Sequence, residues 1–76
     1  MKVYILEEGC AYEGLSIIGV YSLESSARLA AEYAVQHHIY RNYTSSPVSK
    51  AEAERGTIAV WSDESDIMMI SEHEVI

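Results

Sequence analysis

One long helical segment separates two pairs of strand-like segments, and this order limits the folds that the chain can adopt. Ser25–His38 contains no Gly or Pro, Ser22 can cap its start, and Glu24 lies in the first turn, where the helix dipole favours an acid. The segment therefore predicts a main helix of roughly 15 residues. Mostly small side chains recur at the spacing of one helix face and would let the helix approach a sheet closely: Leu23, Ala27, Ala30, Ala31 and Ala34.

Alternating apolar and aromatic residues predict two strands before this helix and two after it. Met1–Glu8 is the first strand and Ile17–Tyr21 the second, and the glycines of Gly9–Ser16 indicate a hairpin loop between them. Thr57–Ser62 and Ile67–Ser71 are the third and fourth strands, joined by a polar turn, and alternation allows the fourth to continue toward the C-terminal end. Strands joined by such short connections pair antiparallel.

A second, short helix is predicted between the main helix and the third strand. Residues 49–52 (SKAE) fit a capping box, and Gly56 provides a stop just after Arg55. Ile39–Ser46 has no clear period and is predicted to be a connection. The order ββααββ favours a single α+β domain over residues 1–76, in which a four-stranded antiparallel sheet carries the main helix and the short helix on one face.

The pleat divides the apolar strand residues between two faces of this sheet. The helices are expected to cover the face that holds Val3, Ile5, Ile18, Val20, Ile58 and Val60. The opposite face would be apolar and aromatic, with Tyr4, Leu6, Ile17, Tyr21, Ala59 and Trp61. A chain this short has too few helices to cover both sides of one sheet, so we expect the second face to pair in a dimer or to bind another protein.

The net charge of the chain favours some classes of binding partner over others. The chain has 12 acidic and 5 basic residues and a formal net charge of −7. Binding to a nucleic-acid backbone depends on basic side chains, so direct binding of DNA or RNA is disfavoured. The same charge favours solubility and association with basic surfaces. Because 49% of the residues are hydrophobic, a folded domain is expected rather than a disordered chain.

The sequence predicts a cytoplasmic protein. Its longest apolar blocks, such as Ile67–Ile70, are about four residues long, against the roughly 20 that a membrane-spanning helix needs. Met1–Glu8 becomes acidic too early for a signal peptide. Cys10 is the single cysteine, which agrees with a reducing compartment.

The C-terminal segment is uniformly negative, since no Lys or Arg follows Arg55. Such a run could mimic the phosphates of a nucleic acid and bind the basic groove of a protein. Alternatively, it is a solvated turn followed by an edge strand that its charge protects from aggregation. The predicted partner-binding acids are Asp63, Glu64, Asp66, Glu72 and Glu74, and the predicted apolar anchors are Tyr4, Tyr21 and Trp61.

The residue patterns predict no catalytic residue, no metal site and no cofactor. Acid–base chemistry by paired carboxylates needs a pocket that shifts a pKa, whereas these acids fall on a predicted exposed turn. Counted from the first acid of that turn, Met68 stands where a calcium loop needs its Gly. His37, His38, His73 and Cys10 do not have the spacing of zinc ligands.

Two segments carry a resemblance to known proteins. Residues 1–6 read MKVYIL and residues 17–27 read IIGVYSLESSA, so that a first strand, a GVYS strand end and a helix start follow one another. In these features the chain resembles small uncharacterised proteins of phage, prophage and bacterial genomes. The resemblance implies a small acidic phage product that inhibits host machinery, as anti-CRISPR proteins do when they block a nucleic-acid-binding groove. It implies no catalytic residue.

These observations together predict a non-enzymatic, phage-encoded inhibitor that acts by binding a protein in the host cytoplasm. It would block the basic, nucleic-acid-binding surface of a host defence protein such as a CRISPR–Cas component, without binding nucleic acid or membrane itself. The alternative is a homodimeric accessory or regulatory module, in which the open sheet face self-associates and the acids only solvate the chain. An enzyme is a third alternative and would need a pocket.

Overall fold

The structure is a computed structural model that describes residues 1–10, 12–37 and 42–75. These residues form one antiparallel sheet of five strands, in the order β2-β1-β5-β4-β3, and two helices. In chain order the elements are β1 (Lys2–Cys10), β2 (Gly14–Tyr21), α1 (Glu24–His37), β3 (Thr44–Ser46), α2 (Lys50–Glu54), β4 (Thr57–Asp63) and β5 (Asp66–Glu74).

The α+β class is confirmed, but the predicted four-stranded ββααββ sheet is wrong. The fifth strand, β3, lies within the predicted connection Ile39–Ser46 and pairs antiparallel with β4. It consists of three polar residues, TSS, so it shows neither the alternation nor the β-branched apolar side chains by which strands are recognised. Residues 39–41 of the predicted connection lie outside the described residues.

The first hairpin is longer than predicted. Part of the predicted loop Gly9–Ser16 belongs to the strands, because β1 extends to Cys10 and β2 begins at Gly14. Gly9 is paired with Leu15, and a Cβ atom at Gly9 would collide with the carbonyl oxygen of Gly14. The glycine therefore permits close approach of two strands rather than a loop.

The hydrophobic core lies between α1 and one face of β1, β5 and β4. Two alanines of α1, Ala27 and Ala31, are fully buried. They allow the helix to approach the sheet closely, and the large side chains of the sheet fill the space between the layers. The core cluster consists of Leu6, Ala27, Ala31, Tyr43, Ala59, Met68 and Ile70.

The predicted assignment of the two sheet faces is wrong. Leu6 and Ala59 are buried in the core cluster, whereas Val20 and Ile18 of the supposedly covered face are exposed. Of the predicted covered face, Val60 is buried and Ile58 packs against the core cluster. Period-two alternation separates two faces but does not say which one a helix covers. The face that α1 covers holds Tyr4, Leu6, Tyr21, Ala59, Trp61, Met68 and Ile70.

The second helix begins and ends as predicted. The Ser49 hydroxyl accepts a hydrogen bond from the Glu52 amide (3.1 Å), and the Ser49 amide donates to Glu52 Oε1 (3.0 Å). The hydrogen bond from the Ser49 amide, and after it an interaction of the Ser49 side chain with the same carboxyl group, lower the pKa of Glu52. Gly56 follows the C-cap with a positive φ of 91°. However, α2 contacts β4 and contributes nothing to the core cluster, so α1 alone supplies its helical layer.

We expect Ser49→Ala to lower the free energy of unfolding by about 1 kcal/mol at neutral pH, the usual effect of losing an N-cap. Folding also lowers the pKa of Glu52 below its ordinary 4.5, chiefly through the backbone amide of residue 49, which Ser49→Ala retains. The stability from the Glu52 carboxylate is therefore present above that pH and is lost as the pH falls below it, in the variant as in the wild type. Urea unfolding at pH 7 and at pH 3 measures both effects. Ser49→Asp keeps an accepting oxygen and should be close to the wild type at pH 7; an equal loss in both variants would contradict the capping role.

Candidate functional site

Five acidic residues lie at one end of the sheet, which we call the acidic end: Glu8, Glu13, Asp63, Glu64 and Asp66. The strand register explains this grouping. Cys10 pairs with both Gly14 and Asp66, so the tip of the β1–β2 hairpin and the turn between β4 and β5 lie side by side. Acids that are distant in the sequence are therefore neighbours at this edge.

Hydrogen bonds fix three of these carboxylates in place. Cys10 Sγ donates to Asp66 Oδ1 (3.1 Å), and the buried Tyr43 donates through its hydroxyl to Glu8 Oε2 (2.9 Å). The amide of Asn42 donates to Asp63 Oδ2 (3.0 Å). The other two acids, Glu13 and Glu64, are exposed on the turns. The acidic end thus combines an ordered layer of carboxylates with two outer ones.

Two of the predicted partner-binding acids lie elsewhere. Glu72 and Glu74 are near the far end of β5, so Glu72 is roughly 20 Å along the strand from Asp66. Glu72 pairs with Lys2 Nζ (2.8 Å), which raises the pKa of Lys2, and Glu74 pairs with the amino group of Met1 (3.1 Å). The structure therefore brings together Asp63, Glu64 and Asp66 but not Glu72 and Glu74.

The described Lys and Arg side chains lie away from the acidic end. Lys2 is at the opposite end of β1, and Arg28 pairs with Glu24 in the first half of α1 (2.8 Å). Lys50 is the first residue of α2 and Arg55 follows its last, and α2 precedes the start of β4 at that opposite end. Since α1 starts beyond the end of β2, it runs toward the acidic end, and the negative end of its dipole points there.

The three predicted aromatic anchors lie on the face that α1 covers. Tyr4, Tyr21 and Trp61 are partly buried and pack against the core cluster. The ring of Tyr21 lies over Gly19, where a Cβ atom would be 2.5 Å from the Tyr21 hydroxyl oxygen. Their predicted position on an open face is wrong, and their role in binding a partner stays a prediction.

Within residues 1–10, 12–37 and 42–75 the surface contains no pocket and no group of three or more His, Cys, Asp or Glu residues able to hold a metal ion. His73 lies within hydrogen-bonding distance of the Ser71 hydroxyl (2.9 Å) on β5. His37 stacks against Tyr33 on α1, and the neighbouring His38 lies outside the described residues. Neither helix in the described part of the chain is both long enough and apolar enough to span a membrane.

In a comparison with known protein families, residues 1–75 match a family described as a domain of unknown function (DUF7336). The chain belongs to the DUF7336 family. No curated protein and no solved structure matches it. The match includes all five strands and both helices, so in this chain the DUF7336 domain comprises the whole sheet and the acidic end.

Sequence reasoning missed a second surface of this DUF7336 chain, at the β2 edge of the sheet. Among the described residues β2 pairs with β1 alone, and it exposes Ile17, Ile18 and Val20. One signal was available: the sequence of β2, GLSIIGVY, contains no charged residue in a chain that is 22% charged. The neighbouring side chains on the face opposite α1 are also mostly apolar: Val3, Ile5, Leu15, Ile67 and Met69.

Proposed function

We propose that this protein is a non-catalytic inhibitor whose acidic end binds a basic surface of another protein. One observation carries the proposal: the strand register gathers five carboxylates from two separate hairpins at one end of the sheet, while the described Lys and Arg residues lie elsewhere. Such an arrangement suits charge pairing with a partner. Acid–base chemistry would instead need carboxylates in a desolvated pocket.

The geometry favours binding with little rearrangement. Hydrogen bonds from Cys10, Asn42 and Tyr43 hold three carboxylates of the acidic end in place before any partner arrives. A preorganised surface loses less conformational entropy on binding than a flexible one. The net charge of −7 adds long-range attraction toward a basic partner, which salt would screen beyond about 8–10 Å.

The partner that best fits this chemistry is a protein with a basic, nucleic-acid-binding groove. Carboxylates in fixed positions can form ion pairs with the Lys and Arg side chains that would otherwise contact phosphates. The resemblance to small phage proteins extends the proposal to a host defence protein, such as a CRISPR–Cas component, in the host cytoplasm. Binding would then inhibit the partner by competition with its nucleic acid.

A pair of charge-matched variants tests the proposal. Glu13→Gln/Glu64→Gln removes two exposed charges from the acidic end, and Glu32→Gln/Glu54→Gln removes two exposed charges from α1 and α2. Both variants change the net charge from −7 to −5. Tagged wild type and variants are used to capture proteins from a bacterial lysate at low and at high salt, and captured proteins are identified by mass spectrometry.

We expect the wild type and the α1/α2 variant to capture the same nucleic-acid-binding protein at low salt and to lose it at high salt. The acidic-end variant should capture at least about tenfold less, since two charge pairs at an interface are together worth more than 1.4 kcal/mol. The captured protein should also bind its nucleic acid more weakly when the wild type is added. Equal capture by both variants, or capture that salt does not change, would contradict the proposal.

A further inference from the structure

The two edge strands of the sheet, β2 and β3, differ in how well they are protected from pairing with another chain. An edge strand exposes unpaired backbone N–H and C=O groups, and natural proteins protect such edges with short strands, charged side chains, Pro or bulges. β3, at one edge, is only three residues long and polar, so it offers little backbone to a second chain. β2, at the other edge, has eight residues.

β2 lacks most of these protective features. It contains no Lys, no other charged residue and no Pro, and its side chains are apolar and exposed: Ile17 is 60% exposed, Ile18 50% and Val20 58%. The one irregularity is a bulge opposite Leu6 and Glu7, in its pairing with β1. An eight-residue edge with exposed apolar side chains and no charge is a ready template for another strand.

We propose that β2 is a dimerisation edge, at which β2 of one copy pairs antiparallel with β2 of a second copy to form a continuous ten-stranded sheet. A strand that pairs antiparallel with itself lies on a twofold axis, so each copy uses the same surface and the assembly closes as a dimer. No second kind of surface is needed.

Electrostatic repulsion between two copies is least at this edge. Two chains that each carry −7 repel one another, and the repulsion is smallest where the contact surfaces carry no charge. Antiparallel pairing also places the two acidic ends at opposite ends of the β2 pair. When the two β2 strands pair along their whole length, Glu13 of one copy lies nine residues along the strand from Glu13 of the other. At about 3.4 Å per residue this is roughly 31 Å, well beyond the screening length of about 8 Å.

Measurement of mass in solution tests this proposal. The chain has a mass of 8.5 kDa, and we expect light scattering during size-exclusion chromatography to give the untagged wild type twice that mass. Ile17→Lys/Val20→Lys puts charges on the exposed edge and should give the monomer mass. Thr44→Lys/Ser45→Lys, with the same change in charge at exposed positions of β3, should remain dimeric. A wild type that is monomeric at about 0.5 mM, or a dimeric β2 variant, would overturn the proposal.

Hydrogen exchange separates edge pairing from stacking of the open sheet faces. In the edge dimer, amides of β2 that point away from β1 become hydrogen-bonded, so their exchange should slow as the protein concentration rises. Stacked faces would leave these amides unpaired and exchanging at the same rate at every concentration. A dimer without protection of β2 would therefore also overturn the proposal.

Discussion

A Gly56→Ala variant is expected to lose about 3 kcal/mol or more of its free energy of unfolding. Gly56 has a φ of 91°, which residues with a Cβ atom rarely adopt, and this strain alone costs about 1–3 kcal/mol. A Cβ atom there would also lie 2.6 Å from the carbonyl oxygen of Glu72. The backbone cannot easily move away, because the Gly56 carbonyl accepts a hydrogen bond from the Glu72 amide (2.8 Å).

Gly14→Ala is the matched control. Gly14 has nearly the same φ, 93°, but a Cβ atom there would have nothing within 4 Å. The free energy of unfolding of Gly14→Ala should fall only by the cost of the backbone conformation, about 1–2 kcal/mol. Urea unfolding gives the loss of unfolding free energy in each variant, and the difference between the two losses is the cost of the clash with Glu72. Equal losses would show that Gly56 is needed for its backbone angle alone.

The second large effect is expected from Ile70→Ala. Ile70 is fully buried in β5, where it pairs with Leu6 on one side and Ala59 on the other. Truncation leaves a cavity beneath α1 and should cost about 2–5 kcal/mol. A domain of 76 residues is expected to have only about 4–11 kcal/mol of stability, so this variant should be largely unfolded at modest urea concentrations.

Ile17→Ala deletes the same atoms from an exposed position of β2. In the monomer, measured at micromolar or lower concentration, it should change stability by less than about 1 kcal/mol. A loss at Ile17 equal to that at Ile70 would mean that the open face, not the face beneath α1, holds the core. That result would contradict the position of the core beneath α1.

Local signals in the sequence were sufficient for the elements whose hydrogen bonds are local. The SKAE capping box and Gly56 predicted α2 to within about a residue, because both partners of each capping bond lie within four positions. The alanine positions predicted the buried side of α1 for the same reason, since helical spacing alone groups them. The antiparallel β1–β2 and β4–β5 pairs followed from their short connections.

Features that depend on distant parts of the chain could not be predicted in this way. β3 is a strand only because β4 pairs with it, and its three polar residues carry no strand pattern. The acidic end depends on β1 pairing with β5, which brings Glu8 and Glu13 to the turn that follows Asp63. Sequence proximity instead grouped Glu72 and Glu74 with that turn, although β5 carries them to the opposite end.

The two proposed surfaces are compatible in one assembly. A dimer joined through β2 leaves both acidic ends exposed and directed to opposite sides, so it would bind two partners or two sites on one partner. Binding through two linked sites is tighter than binding through one. The monomeric Ile17→Lys/Val20→Lys variant should therefore still bind, but more weakly than the wild type, and lysate capture measures the difference.

Photo-crosslinking tests most directly whether the acidic end is the binding surface. Tyr12, 75% exposed beside Glu13, is replaced by a photoreactive aromatic residue, and Leu23, 60% exposed before α1 at the opposite end of the sheet, is replaced in a control protein. Irradiation in a bacterial lysate should link the position 12 probe to a basic, nucleic-acid-binding protein and leave the position 23 probe without that product. A product formed from position 23 and not from position 12 would contradict the proposed function.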